Sequence, residues 1–227
     1  MNAPRTARSR ARAELTREIK DAARRELARE GAGQLSLRAV ARELEMVPSA
    51  LYRYFPSRDE LLTALILEAY DALGERAEQA VAAVPDDDLR GRWRAGCRAV
   101  RDWAVEHPHE YALLYGSPVP GYRAPQDTVG PATRVHTLLL GVVQDAQPDA
   151  GPALPRGLDD DAARLVTALH LTLPPAVLLR AITAWSQLIG VVSLELFGHL
   201  EGGPDPQPFF DHTVELMADL VGLPADA

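Results

Sequence analysis

The fold is decided by two adjoining stretches, LSLRAVAREL at residues 35–44 and VPSALYRYFPSRDELL at residues 47–62. Apolar residues recur at helical spacing in the first stretch, and in the second Leu51 and Phe55 lie one helical turn apart. Pro48 suits the first turn of a helix. The two stretches therefore predict two short helices joined by a tight turn.

A longer helix is predicted on each side of this pair. Residues 13–30 carry an apolar face that ends at Gly31 and Gly33. The segment SRDE at residues 57–60 is a capping box, in which the serine caps a helix that runs to about Ala83. A long helix followed by two short ones is typical of the three-helix, helix-turn-helix DNA-binding unit.

The second short helix, predicted over residues 47–55, would be the recognition helix. Leu51 and Phe55 anchor it inward, so the opposite face can enter a major groove. Small side chains at its start allow close approach, and the hydroxyls of Tyr52 and Tyr54 suit phosphate oxygens at the groove edge. The exposed face is predicted to present Pro48, Ser49, Tyr52 and Arg53.

Arg58 conflicts with its position, because a cation in the first turn of a helix opposes the macrodipole. A bound DNA phosphate would resolve the conflict by receiving both the guanidinium and the free N–H groups of the helix end. The alternative is a solvated arginine at little cost. Arg38, at the start of the preceding helix, can reach a phosphate or a guanine edge in the same way.

These motifs, and the LYRYF core at residues 51–55 above all, resemble the tetracycline-repressor (TetR) family over about residues 13–67. Glu45 stands where the family usually has a turn glycine, and Arg58 where it usually has lysine. A non-glycine residue at that turn is expected to strain it modestly. The resemblance implies base contacts from Arg38, Val47, Pro48 and Ser49, and phosphate contacts from Ser36, Tyr52, Tyr54 and Arg58.

Charge is divided unevenly along the chain. Residues 1–67 hold 13 basic and 9 acidic residues, whereas residues 68–227 hold 11 and 23. A basic arm on an acidic body suggests that the N-terminal end meets a polyanion, although chance surface charge is the alternative.

The rest of the chain is predicted to form further helices separated by proline and glycine, without strand signals. Residues 111–122 and 184–197 resemble the WHG type of C-terminal ligand-sensing domain in a subset of the TetR family. Ile189 stands where that type has its histidine, so no role for the histidine is transferred. The sequence thus predicts an all-α protein: a disordered basic arm over 1–12, a helix-turn-helix domain over 13–60, and a helical ligand-sensing and dimerisation bundle over 61–227.

Two site assignments follow for the C-terminal bundle. A ligand pocket would be lined by aromatic residues, with the alternative that they form only core. A four-helix dimer interface would be formed by the last two helices of each chain, with an intramolecular core as the alternative. The ligand candidates are Trp93, Trp103, Tyr111, Tyr115 and Tyr122, and the interface candidates are Trp185, Ser186, Ile189, Gly190, Ser193, Phe210, Val214 and Met217.

The sequence indicates no cofactor, metal or catalytic motif, and His107 and His109 are expected to be a cap or surface pair. A single cysteine, Cys97, favours a reducing compartment and a buried apolar position. No signal peptide is recognisable, and the apolar run at residues 181–194 is 14 residues long, short of the roughly 20 that span a membrane.

We therefore expect a cytoplasmic bacterial regulator, a homodimer that binds double-stranded operator DNA and an unknown small-molecule effector. A repressor that its ligand releases from an inverted-repeat operator is the leading hypothesis. An enzyme, or a helical interaction module whose helix-turn-helix does not touch DNA, are the competing ones.

Overall fold

The computed structural model describes residues 3–225, with side chains from residue 8 onward. Within that range the regular structure is helical, which confirms the predicted all-α class. Two 3-10 turns, at Ala32–Gln34 and Gln126–Thr128, complete it. The helices are α1 (Ala3–Glu30), α2 (Leu37–Glu43), α3 (Pro48–Leu51), α4 (Arg58–Ala82), α5 (Leu89–Glu106), α6 (Pro108–Tyr115), α7 (Val129–Ala146), α8 (Arg156–Ala168), α9 (Pro175–Leu196) and α10 (Pro206–Val221).

The chain divides into two compact units that do not follow the boundary expected at residue 60. One unit contains Met1–Tyr70 and His107–Val129, and the other contains Asp71–Glu106 and Gly130–Ala227. The long helix α4 contributes its first half to one unit and its second half to the other. Helix α4 continues through the boundary without a break, and α6 belongs to the first unit although it lies far along the chain. Neither feature can be recognised from local composition.

The N-terminal arm differs from the expectation of disorder over residues 1–12. Helix α1 already begins at Ala3, and only residues 1–2 of the arm lie outside the described residues. Alanine and arginine are strong helix formers, so they extend the helix without an apolar partner.

The DNA-binding unit has one core, into which α1, α2, α3 and the start of α4 all project. Leu51, from the four-residue helix α3, is fully buried there. Helices this short do not hold themselves in water, so packing of this side chain fixes α3. The other fully or nearly buried members are Ile19, Ala22, Ala23, Leu35, Leu37, Val40, Ala41, Phe55, Leu61, Leu62 and Leu65.

The tight turn between α2 and α3 has the strain that the sequence predicted. Glu45 has φ +55°, in the left-handed region. The N–H of Met46 donates to the carbonyl of Ala41 at 2.8 Å and that of Glu45 to the carbonyl of Arg42 at 3.1 Å, which is a Schellman motif. The left-handed backbone costs a non-glycine residue about 1–2 kcal/mol.

In the second unit the central helix is α9, which packs against α10, α8 and α5. By length and composition α9 could cross a membrane, since it has 22 residues and includes an apolar 18-residue window. Residues such as Val177, Leu188 and Val192 are buried against its neighbours, as in the core helix of a folded bundle.

Candidate DNA-binding surface and ligand cleft

The face of α3 opposite its anchor is open to solvent. Val47 and Tyr52 are 65% and 45% exposed, and Pro48 and Ser49 are exposed as well. Tyr52 ends the helix with its N–H donating to the Pro48 carbonyl at 3.1 Å. The regular helix covers only Pro48–Leu51, with turns following, so the expected extent of 47–55 was too long.

Two arginines flank this surface and remain available for a polyanion. Arg38, on α2, and Arg53, after α3, are exposed. Among the side chains described over residues 8–225, neither forms an ion pair. Four other basic residues of this unit are instead paired with acidic residues on α2, α4 or α6. Those ion pairs are Lys20–Glu68, Arg24–Glu68, Arg24–Glu110, Arg25–Glu43 and Arg29–Glu43.

Tyr54 is half-buried, and an arginine of the N-terminal arm lies over it. The guanidinium carbon of Arg12 is 5.2 Å from the centre of the Tyr54 ring. The same guanidinium lies 3.4 Å from the carbonyl oxygen of Arg53. The sequence placed Arg12 in the basic arm but predicted no contact for it, because the arm was expected to be disordered. The contact places a positive charge beside the residues that follow α3.

Arg58 is already hydrogen-bonded within the protein, which corrects the reasoning that assigned it a phosphate. Its guanidinium donates to the carbonyl of Leu35 at 3.0 Å, that of Ala32 at 2.8 Å and that of Gly33 at 2.9 Å. Arg58 therefore closes the loop that leads into α2. The capping serine was predicted correctly: Ser57 Oγ accepts from the N–H of Glu60 at 3.1 Å.

Ser36 was expected both to cap α2 and to contact phosphate. It occupies the N-cap position, but its side chain makes no capping hydrogen bond. The half-buried hydroxyl therefore remains free to meet a ligand at the start of α2.

We predict that Arg58→Ala lowers the free energy of unfolding of the DNA-binding unit by about 2 kcal/mol, since charged donors contribute about 1.5–3 kcal/mol. Arg38→Ala, the matched control, should leave stability unchanged. Urea titration measures both variants. A wild-type stability for Arg58→Ala, with a slope of log affinity against log salt reduced by about 0.9, would restore the phosphate contact.

A second feature lies in the other unit, where side chains of α5, α7 and α9 line a narrow apolar cleft with free space of only about 10 Å³. His136 is the polar exception in its wall. The Nε2 atom of that side chain is buried and has no hydrogen-bond partner among the described residues. Its ring lies 5.5 Å from that of Trp185, tilted by 30°. The lining residues are Trp93, His136, Leu139, Leu140, Val143, Ala181, Ala184, Trp185 and Leu188.

Burial also lowers the pKa of His136, because the apolar surroundings disfavour the charged imidazolium. The imidazole is therefore neutral near pH 7. Sequence reasoning passed over this residue, although its spacing in the apolar series of α7 was a usable signal. Histidine on the inner face of an otherwise apolar helix needs a partner for its ring nitrogens.

Comparison with known proteins identifies the family of this chain through both of its parts. A profile described as "Bacterial regulatory proteins, tetR family" matches residues 19–65, and one described as "Tetracyclin repressor-like, C-terminal domain" matches residues 93–217. The chain is 38% identical over 219 residues to two HTH-type transcriptional regulators, Rv1816 of Mycobacterium tuberculosis and Mb1846 of Mycobacterium bovis. Each alignment covers 91% of this chain and 92% of the relative. The chain belongs to the TetR family.

Solved structures give the same result for the fold. The crystal structure of SCO4313 has a TM-score of 0.78 and 36% identity, and the match covers 93% of this chain and 98% of that one. PfmR, a TetR family transcriptional regulator from Thermus thermophilus, shares the fold at a TM-score of 0.58 with 18% identity, over 91% of this chain and 99% of its own. This TetR-family chain is thus a DNA-binding, helix-turn-helix transcriptional regulator. The WHG type of its C-terminal domain stays a prediction.

The five aromatic residues predicted to bind ligand fall in both units of the fold. Trp93 lines the cleft and donates from Nε1 to the Val214 carbonyl at 3.3 Å. Trp103 is buried in the same unit. The three tyrosines belong instead to the DNA-binding unit.

These tyrosines pack with helix α4 and the core of the helix-turn-helix. The ring of Tyr115 lies 5.1 Å from that of Tyr111 and 6.2 Å from that of Tyr70. The hydroxyl of Tyr122 lies 2.9 Å from Thr63 Oγ1. Tyr122 therefore fastens the loop that follows α6 to α4.

The predicted dimer interface is wrong for the α10 residues. Phe210, Val214 and Met217 are at most 2% exposed and form core inside this unit. The exposed face of α10 is the neighbouring stripe, with Leu216 55% and Leu220 38% exposed. On α9, Ser186 is exposed, whereas the other four candidates, Trp185, Ile189, Gly190 and Ser193, are half-buried.

The remaining polar candidates have local roles. His107 Nδ1 lies 3.0 Å from Glu110 Oε2 at the start of α6, and the His107 side chain makes no capping hydrogen bond to that helix. Cys97 is fully buried, as expected, and burial raises the pKa of its thiol. No group of three potential metal ligands occurs within the part of the chain that the structure describes.

Proposed function

We propose that this chain is a cytoplasmic repressor, without enzymatic activity, that binds an inverted-repeat operator as a homodimer and is released by a small molecule. The observation that supports DNA recognition best is that α3 has one buried side and one exposed side. Leu51 is fully buried while Val47 and Tyr52 on the other side are exposed. That arrangement leaves a recognition surface free to enter a major groove.

In this proposal the side chains divide by role. Arg38 and the start of α3 read base edges, because arginine can bond guanine bidentately and small residues permit close approach. Ser36, Tyr52 and Tyr54 contact phosphates and set the register. Arg58 holds the loop before α2 and acts on DNA only through the position of that helix.

A homodimer is supported by apolar surface on the last two helices. Leu194 and Phe197 near the end of α9, and Leu216 and Leu220 on α10, are all exposed to at least 38%. A shallow groove between the two helices adds Phe209 to this surface. A second copy covers such a face symmetrically, and its two-fold axis explains an inverted repeat in the DNA.

Release by ligand is supported by the way the units share the chain. Helix α4 begins in the DNA-binding unit and ends in the unit that holds the α5–α7–α9 cleft. A ligand that binds one conformation of the second unit better shifts the spacing of the two recognition helices in a dimer. Operator affinity then falls by the ratio of the ligand's affinities for the two conformations.

Selection of random duplexes by the purified chain, followed by titration at fixed salt, tests this function. We expect inverted repeats whose half-site centres lie about 10–10.5 base pairs, or a multiple, apart. Arg38→Ala should weaken binding by about 1–3 kcal/mol and relax specificity at one base pair. Transcription from a promoter that overlaps the selected site should fall when the protein is added.

Arg164→Ala is the matched control, because this exposed arginine lies on α8 in the other unit. It should leave operator affinity unchanged. Equal affinity for unrelated duplexes, or equal effects of Arg38→Ala and Arg164→Ala, would overturn sequence-specific binding. The alternative of a helical interaction module would then be favoured.

A further inference from the structure

We infer that the first turns of α1 form a second DNA contact, in which Arg8 and Arg12 bind backbone phosphates of the duplex beside the half-site that α3 enters. The inference rests on the proposed function, because it adds a contact to the same operator complex. It is carried by the placement of exposed arginines on one face of α1, and by the contact of one of them with the residues that follow α3.

The face of α1 that packs into the DNA-binding unit continues beyond the core as arginine. Ile19 is fully buried, and Leu15 packs partly against the same core. Toward the start of the helix this face presents Arg12 and then Arg8, since steps of three and four residues stay on one side of a helix. Both arginines are exposed, and Arg8 lies roughly 10 Å beyond Leu15 along the helix axis. The arm therefore extends past the apolar core with cations on its inner face.

Arg12 is held beside the recognition helix. Its guanidinium carbon is 5.2 Å from the centre of the Tyr54 ring, and its Nη2 donates to the carbonyl of Arg53 at 3.4 Å. Tyr54 itself packs partly against the core of the unit, so this contact fixes the arm next to α3. A guanidinium has several N–H groups in a fixed fork, and this bond leaves most of them available to a phosphate. The exposed side chain of Arg53 adds a second cation at the same place.

The charge of the arm is not balanced within the chain. Residues 3–13 contain four arginines and no acidic residue. Among the side chains described over residues 8–225, none of Arg8, Arg10 and Arg12 forms an ion pair. Two like charges four residues apart destabilise a helix, and Arg8 and Arg12 stand in this relation. An anion that bridges them removes the repulsion, so this face is suited to a polyanion.

Backbone phosphates of DNA match this face in charge, spacing and position. Arg8 and Arg12 are about 6 Å apart along the helix axis, and one DNA strand carries a phosphate about every 3.4 Å of its axis. The two arginines therefore reach separate phosphates of one strand. The position follows from the Arg12 contact, because Tyr54 meets a phosphate at the groove edge in the proposed complex. Phosphate contacts carry no base preference, so they extend the complex beyond the sequence that α3 reads.

Titration of the selected operator with a full-length variant that carries Arg8→Ala and Arg12→Ala tests the inference. We expect the slope of log affinity against log salt to become shallower by about 3.6, since each phosphate contact contributes about 0.9 and each chain of a dimer loses two. The fall in affinity between about 50 and about 200 mM salt should accordingly be about 100-fold smaller than for the wild type. Alanine favours helix, so circular dichroism should show wild-type helical content.

Arg10→Ala with Arg17→Ala is the matched control. These two exposed arginines belong to the same helix but lie on its other side, so the control removes the same charge without the proposed contact. Its salt slope should stay close to wild type. Equal slopes for the two double variants would overturn the inference, because long-range attraction alone would then explain the arm. An unchanged slope for the Arg8 and Arg12 variant, with a changed oligomeric state in ultracentrifugation, would assign the arm to acidic residues of a second copy and overturn it too.

Trimming the duplex locates the contact. With the wild-type chain, removal of the base pairs outside the selected half-sites should weaken binding, whereas a change in their sequence should not. The variant with Arg8→Ala and Arg12→Ala should bind the long and the trimmed duplex with equal affinity. A loss on trimming that persists in this variant contradicts a contact by the arm.

Failure of this inference is distinguishable from failure of the proposed function. If Arg38→Ala weakens binding to the selected site while the arm variant keeps the wild-type slope, operator recognition stands and the arm contact is overturned. If no duplex is preferred but the arm variant still has a shallower slope than its control, the arm contact stands and sequence-specific regulation is overturned.

Discussion

Replacing Leu216 and Leu220 together with lysine is expected to give a folded monomer that has lost most of its operator affinity. Both side chains are on the exposed stripe of α10 and contribute little to the core of their own chain. In a two-fold interface the two lysines of one chain would face the same two lysines of the other chain. Like charges without partners would then be buried together. Helical content and the unfolding midpoint at low protein concentration should remain close to wild type.

Loss of the dimer should lower operator affinity by about 100- to 10,000-fold, because a second headpiece held at high effective concentration is removed. Analytical ultracentrifugation gives the oligomeric state, and titration of the selected duplex gives the affinity. The matched control replaces Leu158 and Leu165 of α8, which are 44% and 38% exposed, with lysine. If the α10 variant stays dimeric while the α8 variant dissociates, the interface lies on α8 instead.

The helix boundaries were largely predictable from local signals. Helix α5, for example, spans Leu89–Glu106, and its ends are marked in the sequence by the acidic run at residues 86–88 and by Pro108. Asp88 indeed caps that helix, with its Oδ1 accepting from the N–H of Gly91 at 2.7 Å. Capping residues, prolines and glycines affect only the three or four residues around them, so the helix ends that they set can be predicted from the local sequence.

The choice between two apolar faces of one helix was not predictable in this way. Helix α10 has apolar residues on adjoining stripes, one through Phe210 and Val214 and another through Phe209 and Leu216. Helical periodicity identifies both stripes, but only packing against the other helices decides which one is buried. Phe210 and Val214 are inside, so the face left for a partner is the one that the sequence analysis did not select.

Long-range contacts were missed for a related reason. Arg58 is bound to carbonyl groups 23 to 26 residues away, and Tyr122 is 59 residues from its partner Thr63. Contacts between residues so far apart in the sequence cannot be recognised from periodicity or composition. The strained turn was predictable from the family resemblance, because Glu45 stands where the family usually has a glycine.

Replacing Leu51 with alanine should have the largest effect on the DNA-binding unit. Truncation of a fully buried leucine costs about 3–5 kcal/mol, since apolar contact is lost and a cavity remains. Because Leu51 is the residue that fixes the four-residue helix α3, its truncation also destabilises that helix. We expect the amides of α2 and α3 to lose hydrogen-exchange protection and operator binding to become undetectable at the wild-type working concentration.

Tyr52→Ala is the adjacent control that separates stability from contact. Tyr52 is 45% exposed, so its removal should change the free energy of unfolding by less than about 0.5 kcal/mol, as for most surface substitutions. Operator affinity should nevertheless fall, because a proposed phosphate contact is lost. Leu51→Met, which nearly conserves volume, should restore most of the stability and the binding. If Leu51→Ala kept both wild-type stability and wild-type affinity, α3 would be held by something other than this core, and a recognition surface that depends on it would be untenable.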